Sequence, residues 1–145
     1  MYIEDAVAAI IYNEYNEILL HLRDDKKGIW YPNHWGLFGG AIEKNESMED
    51  ALQREIMEEI ELIIEDPIFF SEFKFKFNDI SKHSLKRTYF KIFLKKDNFV
   101  YLKLHEGQEF KFFSRLQLEE IKITPYDKFA LDIYFNLKVI KIRGH

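Results

Sequence analysis

Three glutamates packed closely in the run Arg54-Glu55-Ile56-Met57-Glu58-Glu59 constrain this chain more than any other feature. On a helix, residues three and four apart share a face, so Glu55 stands beside both Glu58 and Glu59. Like charges at that spacing destabilise a helix. Successive residues lie about 100° apart, which gathers Met48, Ala51, Leu52 and Ile56 into an apolar stripe. Glu55 and Glu59 continue that stripe, whereas Asp50, Gln53 and Arg54 fall on the outward side. A solvated acidic face, the usual meaning of a charge run, would turn the carboxylates outward instead. Carboxylates on the core side are costly unless paired or metal-bound. A hard divalent cation with oxygen ligands removes that cost, most commonly Mg²⁺ beside substrate phosphates. The pattern predicts an amphipathic helix over 47–60 and an enzyme of phosphate chemistry.

The net charge of −4 hides an uneven distribution. Residues 43–61 carry eight acids against Lys44 and Arg54, a net of −6, which leaves the remainder at +2. A concentrated acidic site in a mildly basic chain suits a divalent ion together with a phosphorylated small molecule. It argues against a nucleic acid polymer as partner, which calls for a basic stripe. At 145 residues and 47% hydrophobic, the chain reads as one globular domain over 1–145. No apolar run approaches the ~18 residues of a membrane span. There is no cysteine for a disulfide or a thiolate metal site. The start Met-Tyr-Ile-Glu-Asp lacks the basic-then-apolar pattern of a leader. No membrane partner and a cytoplasmic location are therefore expected.

Pattern and turn signals divide the chain further. Tyr2 to Tyr12 reads as a buried strand, Asn13 to Asn16 as a turn, and Ile18 to Arg23 as the return strand of a hairpin. A polar loop over 24–36 leads into Trp35-Gly36-Leu37-Phe38. Ser47 with Asp50 reads as a helix N-cap followed by a first-turn acid. Phe69 to Phe77 alternates aromatic and charged residues as a half-exposed strand does. Thr88 to Leu94, Phe99 to Tyr101 and Glu109 to Phe113 complete the expected strands, Leu116 to Glu120 a short helical turn, and Tyr126 to Leu137, entered through Pro125, a closing helix. Strands mixed with two helices, without regular alternation, predict an α+β fold.

The stretch from Gly40 to Leu62 resembles the Nudix box, G-x5-E-x7-R-E-U-x-E-E-x-G-U with U aliphatic, through Gly40, Glu46, Arg54, Glu55, Ile56, Glu58, Glu59 and Leu62. One position departs: Glu61 stands where the box has its last glycine. Glycine suits a left-handed helix end, so the departure predicts a longer or differently ended helix at a cost of about 1 kcal/mol. The resemblance implies an α-β-α sandwich, with a mixed sheet between the box helix and the C-terminal helix. It also implies hydrolysis of a nucleoside diphosphate linked to another group X, with Mg²⁺, for which Mn²⁺ can substitute. By the same resemblance Glu55, Glu58 and Glu59 hold the metal beside Gly39, Arg54 orients the acids, and Glu46 braces the loop and helix. Gly39 and Gly40 allow positive φ and close approach of a ligand.

Beyond the box, Glu106-Gly107-Gln108 is similar to a Glu-Gly-Gln of the MutT-like, nucleotide-sanitising branch, where it supplies one more metal ligand or base. Phe112-Phe113-Ser114 continues that match, and Glu109 is the competitor to Glu106. The catalytic set implied is thus Glu58, Glu59 and Glu106 with Arg54, the general base being one of the three glutamates. Arg23 is a candidate phosphate contact, since a guanidinium suits bidentate phosphate binding; a strand-end surface charge is the plain alternative. Phe38, which replaces the Pro usual in the family, reads as packing or as a base-stacking residue, and so does Trp35. Asp127 is most simply a helix-start acid. At a comparable position the oxidised-guanine branch reads the purine with an Asn or Asp. His21, His34 and His83 have no ligand-like spacing.

For the substrate, Glu106-Gly107-Gln108 leans toward a nucleoside triphosphate, intact or oxidised. The loop Lys27 to His34 could build a sugar pocket and leans toward a nucleotide sugar. A non-catalytic nucleotide-binding module would be expected to lose a box acid, and all are kept. The expected partner is a small nucleotide, and a homodimer is compatible with the sequence.

Overall fold

The computed structural model describes residues 3–78 and 83–136. Seven strands form one sheet: β1 Ile3–Tyr12, β2 Ile18–Leu22, β3 Trp35–Gly36, β4 Phe38–Ala41, β5 Ile68–Lys76, β6 Ser84–Phe93 and β7 Glu109–Phe113. The main path runs β3-β2-β1-β6-β5, with β4 added to β1 and β7 to β2. Only β1 and β6 run parallel, in unbroken register from Ile3↔Ser84 to Tyr12↔Phe93, so the sheet is mixed. Helices α1 Met48–Ile60, α2 Arg115–Leu118 and α3 Pro125–Asn136 complete the fold.

Period-two alternation on β1 sorts its side chains between two cores. Val7, Ala9 and Ile11 pack with Ala51, Leu52, Ile56 and Ile60 of α1. Ala8 and Ile10 face the other way, onto Ala130 and Leu131 of α3. A strand covered on both faces reads as a continuous apolar run rather than an alternating one, which is what Ala6 to Ile11 is. The chain is thus an α+β sandwich with a mixed sheet between the box helix and the C-terminal helix.

Most expected elements lie within a residue or two of their places. Three differ. Phe99 to Tyr101 belongs to a 3₁₀ helix, Lys96–Tyr101, and not to a strand. Of its apolar run only Phe99 is packed, against Phe110 and Phe112 at 4.7 and 5.7 Å between ring centroids, while Val100 and Tyr101 point into solvent. One anchored residue per turn suits a tight helix. Strands β3 and β4 fall where a loop and its exit were expected, because Gly36, Gly39 and Gly40 weaken any strand signal. Tyr2 and Leu137, at the ends of two expected elements, lie outside the described residues.

Candidate active site

The site begins with two missing side chains. Gly39 and Gly40 lie on β4 opposite Ala8 and Val7 of β1. A Cβ at Gly39 would lie 2.1 Å from the Val7 carbonyl oxygen, and one at Gly40 within 2.6 Å of all three carboxyl atoms of Glu55. Glycine therefore lets the strand lie close to β1 and lets a helix carboxylate rest directly on the backbone. From Gly40 the chain turns into α1, capped by Ser47, whose Oγ accepts the Asp50 N–H at 3.1 Å.

Arg54 fixes the entrance to that helix. Its Nε and Nη2 donate to the two Glu46 oxygens at 2.8 and 2.9 Å, in a bidentate pair, and Nη1 donates to Glu55 at 2.8 Å. Nη2 also reaches the Ala41 carbonyl at 3.0 Å, and Glu58 lies 3.6 Å away at four-residue spacing. Glu46 in turn accepts the Glu43 N–H at 2.9 Å. These contacts hold Glu46 well below the usual carboxylate range, at about 2, chiefly through Arg54, and push the guanidinium up. Arg54 and Glu46 thus brace loop to helix, and Arg54 positions Glu55 and Glu58.

The carboxylates beyond Arg54 repel one another. Glu59 is 2% exposed and accepts the Gly39 N–H at 3.2 Å. Burial, then the charges of Glu106 and Glu55, push its carboxyl well above the ordinary range. Glu106 is also raised, by partial burial of its carboxyl and then by Glu55. Glu58, 59% exposed, stands at the open edge. Among the described residues no three acidic or imidazole side chains already close on one point as a preformed cation site. The donor chemistry nevertheless fits a hard cation: Glu55, Glu58, Glu59 and Glu106 supply carboxylate oxygens near the bare backbone of Gly39–Gly40, and two of these acids are raised by burial and then by their neighbours' charges.

Glu106 reaches this group on a strap between the 3₁₀ helix and β7. The strap is stitched to the end of α1 by Lys103 N–H to Ile60 O at 3.2 Å and His105 N–H to Glu59 O at 2.8 Å. On its other side Gln108 N–H donates to Leu22 O at 2.8 Å, and the Gln108 amide donates to Arg23 O and Asn33 Oδ1. Gly107, at φ +91°, sits 2.8 Å from Leu22 O and 2.9 Å from His21 Nδ1 measured from a hypothetical Cβ, so both its conformation and its surroundings demand glycine. Glu109, the competitor, begins β7 opposite Leu22 and faces solvent.

The departure at Glu61 does not lengthen the helix. Glu61 itself takes the left-handed conformation, φ 57° and ψ 38°, and its N–H caps Met57 O. Its carboxylate pairs with His105 Nε2 at 2.5 Å, one residue from Glu106. The strain of a non-glycine left-handed residue is offset by a tie between helix end and strap.

Two candidates for substrate contact are buried. Phe38 is fully buried, stacked on His21 at 4.5 Å in the core under α1, which favours the packing reading. Asp127 lies in the first turn of α3, as expected of a helix-start acid, and is 1% exposed. Its Oδ1 accepts from Arg87 Nε at 3.0 Å and Tyr89 Oη at 2.9 Å; its Oδ2 accepts from Leu37 N–H, Thr124 Oγ1 and, at 3.4 Å, Arg87 Nη2. A carboxylate offers about four lone-pair sites, so Asp127 is saturated within the protein. Arg23, half-buried, donates its Nε to Trp30 O at 2.8 Å and lines a cavity of about 340 Å³ together with Gly39 and Gly40.

Two residues escaped the sequence reading. His21 alternates with Leu19 toward the α1 core, and burial lowers its pKa to about 4, leaving a neutral ring whose Nδ1 is buried without a hydrogen-bond partner and faces Gly107. Arg87 alternates with Leu85 and Tyr89 on the α3 face of β6, a charge in an inward series. The period-two pattern carried both signals.

A NUDIX domain profile matches residues 3–137. Nucleoside triphosphatase NudI of Escherichia fergusonii is 43% identical over 54 residues, a match spanning 37% of this chain and 37% of that relative. Among solved structures, a MutT protein from Methanosarcina mazei Go1 superposes with a TM-score of 0.75 at 22% identity, over 93% of this chain and 94% of that one. The NUDIX domain of Shewanella oneidensis NrtR, in complex with ADP ribose, gives 0.75 at 13% identity over 93% and 88%.

Proposed function

The chain belongs to the NUDIX domain family, and we propose that it is a pyrophosphohydrolase that cleaves nucleoside triphosphates, intact or oxidised, by attack of water at phosphorus. The observation that carries this reading is the buried Glu59, crowded by Glu55 and Glu106, beside the bare Gly39–Gly40 backbone that lines a cavity together with Arg23. Glu55, Glu58, Glu59 and Glu106 would hold Mg²⁺ or Mn²⁺, which when bound neutralises phosphate oxygens and activates water. The short NudI match supports a triphosphate as substrate.

The chain's own groups divide the remaining work. Arg23, with Nε anchored on Trp30 O, has its outer nitrogens free of protein hydrogen bonds among the described residues and offers them to phosphate oxygens. Gly39 and Gly40 admit the chain of phosphates to within backbone distance. The proton of the attacking water passes to a carboxylate; Glu106, mounted on the strap and raised by burial and by Glu55, is our choice, with Glu58 or Glu59 as the alternative. Arg54 and Glu46 position these acids without touching substrate.

The test is release of pyrophosphate and nucleotide across nucleoside triphosphates, oxidised dGTP and nucleotide sugars, with Mg²⁺, alongside Glu58→Gln. Metal-dependent turnover of triphosphates, lost in the variant, is the expected result. Turnover confined to nucleotide sugars would overturn the substrate class, and binding without turnover of any compound would overturn the enzyme.

A further inference from the structure

The cavity lined by Gly39 and Gly40 is also lined by a cation with an unused donor. The Arg87 side chain is 9% exposed, yet it lines this cavity. Nε and Nη2 are spent on Asp127, and the rings of Tyr126 and Tyr89 flank the guanidinium at 5.2 and 5.6 Å. Nη1 has no hydrogen-bond partner among the described residues. A guanidinium has five N–H donors and stays charged, so Nη1, which is not among the buried unpartnered atoms, is left facing the cavity as a donor for a ligand or for water. Asp127 has no lone pair to spare for it.

The register of the parallel pair supplies a second group. Glu4 lies opposite Leu85 and Ala6 opposite Arg87, so all four side chains share one face, with Glu4 and Arg87 on the diagonal. With strands about 4.8 Å apart and a rise of about 3.3 Å per residue, that diagonal is about 8 Å between Cα atoms. Glu4 also lines the cavity and makes no hydrogen bond or ion pair among the described residues. Tyr126 and Trp30 form aromatic walls, Trp30 being 36% exposed at the mouth.

We infer that this cavity reads a nucleobase by its keto group, so that Arg87 and Glu4 select guanine, uracil and thymine over adenine and cytosine. The inference rests on the nucleotide reading above. With the phosphates held at Gly39–Gly40, the edge of the base far from the sugar enters the cavity first. On that edge guanine presents an acceptor at O6 and thymine or uracil at O4, where adenine and cytosine present amino donors. A keto oxygen meets the open donor of Arg87. The N–H next to that carbonyl, N1 of guanine or N3 of uracil, meets the Glu4 carboxylate. An amino base sets donor against donor at Arg87 and a ring lone pair against the carboxylate, and a site with buried polar groups left unpaired rejects such a ligand strongly.

Calorimetric titration with GMP, UMP, AMP and CMP tests this without turnover, so it survives a failure of the hydrolase assay. GMP and UMP are expected to bind at least tenfold more tightly than AMP and CMP, which is about 1.4 kcal/mol. Glu4→Gln and Arg87→Lys are each expected to shrink that ratio. Because Arg87 also neutralises Asp127, the Glu4 variant, at the cavity rim, keeps the test independent of folding. Equal binding of GMP and AMP, or an undiminished ratio in folded Glu4→Gln, would overturn the inference.

Discussion

Two buried acids, Glu59 and Asp127, are 2% and 1% exposed and stand on opposite faces of the same sheet. Asp127 is surrounded by donors: Arg87, Tyr89, Thr124 and the Leu37 N–H consume its oxygens, and α3 is locked to β6 and to the link between β3 and β4 through them. Glu59 is surrounded by its own kind, Glu55 and Glu106, with one backbone N–H from Gly39 for relief. Burial is the same and the company is opposite. The first arrangement is complete in the protein alone and so serves the fold. The second is unfavourable in the protein alone and becomes favourable with a cation, which marks the face where chemistry is done.

The contrast breaks first on the Asp127 side. Asp127→Ala strands the buried Arg87 charge, and removing one partner of such a pair costs about 3–5 kcal/mol. Thermal unfolding should fall by roughly 10 °C or more for a domain of this size. A loss of only a degree or two would mean that the hub is not what holds α3. On the other face, Glu59→Gln should leave the fold intact and lower turnover at least a hundredfold, about 2.7 kcal/mol of barrier, read by steady-state kinetics on the preferred substrate.

Acid sharpens the comparison. The lowered pKa of His21 means the unfolded chain takes a proton below pH 6.5 that the folded chain refuses until about pH 4. Stability is therefore lost as pH falls through that window, by roughly 2 kcal/mol between pH 7 and pH 5. Glu59 acts with the opposite sign. Its raised pKa costs stability as pH rises above 4.5 in metal-free protein. Denaturant titrations of wild type, His21→Gln and Glu59→Gln across pH separate the two slopes; parallel curves for all three would contradict both assignments. The smallest effect is at the helix end. Glu61→Gly relieves a left-handed residue worth about 1 kcal/mol while releasing His105, so stability should change by less than that. Apparent metal affinity should weaken as the strap carrying Glu106 loosens, as a titration with Mn²⁺ would reveal.

How far the sequence already spoke follows the same divide. The carboxylate face was legible because helical spacing turns Glu55, Glu58 and Glu59 into a geometric statement, and Ser47 marks the helix start within one residue. The sandwich was legible through the double-sided apolar run of β1. The Asp127 hub was not, since its partners come from 40 residues away at Arg87 and 90 at Leu37, and local pattern cannot register contacts across such distances. Phe38, readable beside the glycine pair as packing or as stacking on a base, is turned by strand alternation into the α1 core. Of the longer or differently ended helix expected at Glu61, the helix is not longer: the strap bonds to Glu59 O and Ile60 O hold the end in place and Glu61 itself takes the left-handed conformation.

The central claim is that the crowding at Glu59 exists for a cation, and thermal unfolding of wild type and Glu59→Gln with and without Mg²⁺ addresses it most directly. Ligand bound to the native state alone stabilises it by about 2.7 kcal/mol at one hundred times the dissociation constant. The account predicts that metal-free Glu59→Gln unfolds at a higher temperature than metal-free wild type, and that saturating Mg²⁺ raises the wild type by several degrees and leaves the variant nearly unmoved. A wild type indifferent to Mg²⁺ and Mn²⁺, or a variant stabilised as much as wild type, would contradict it.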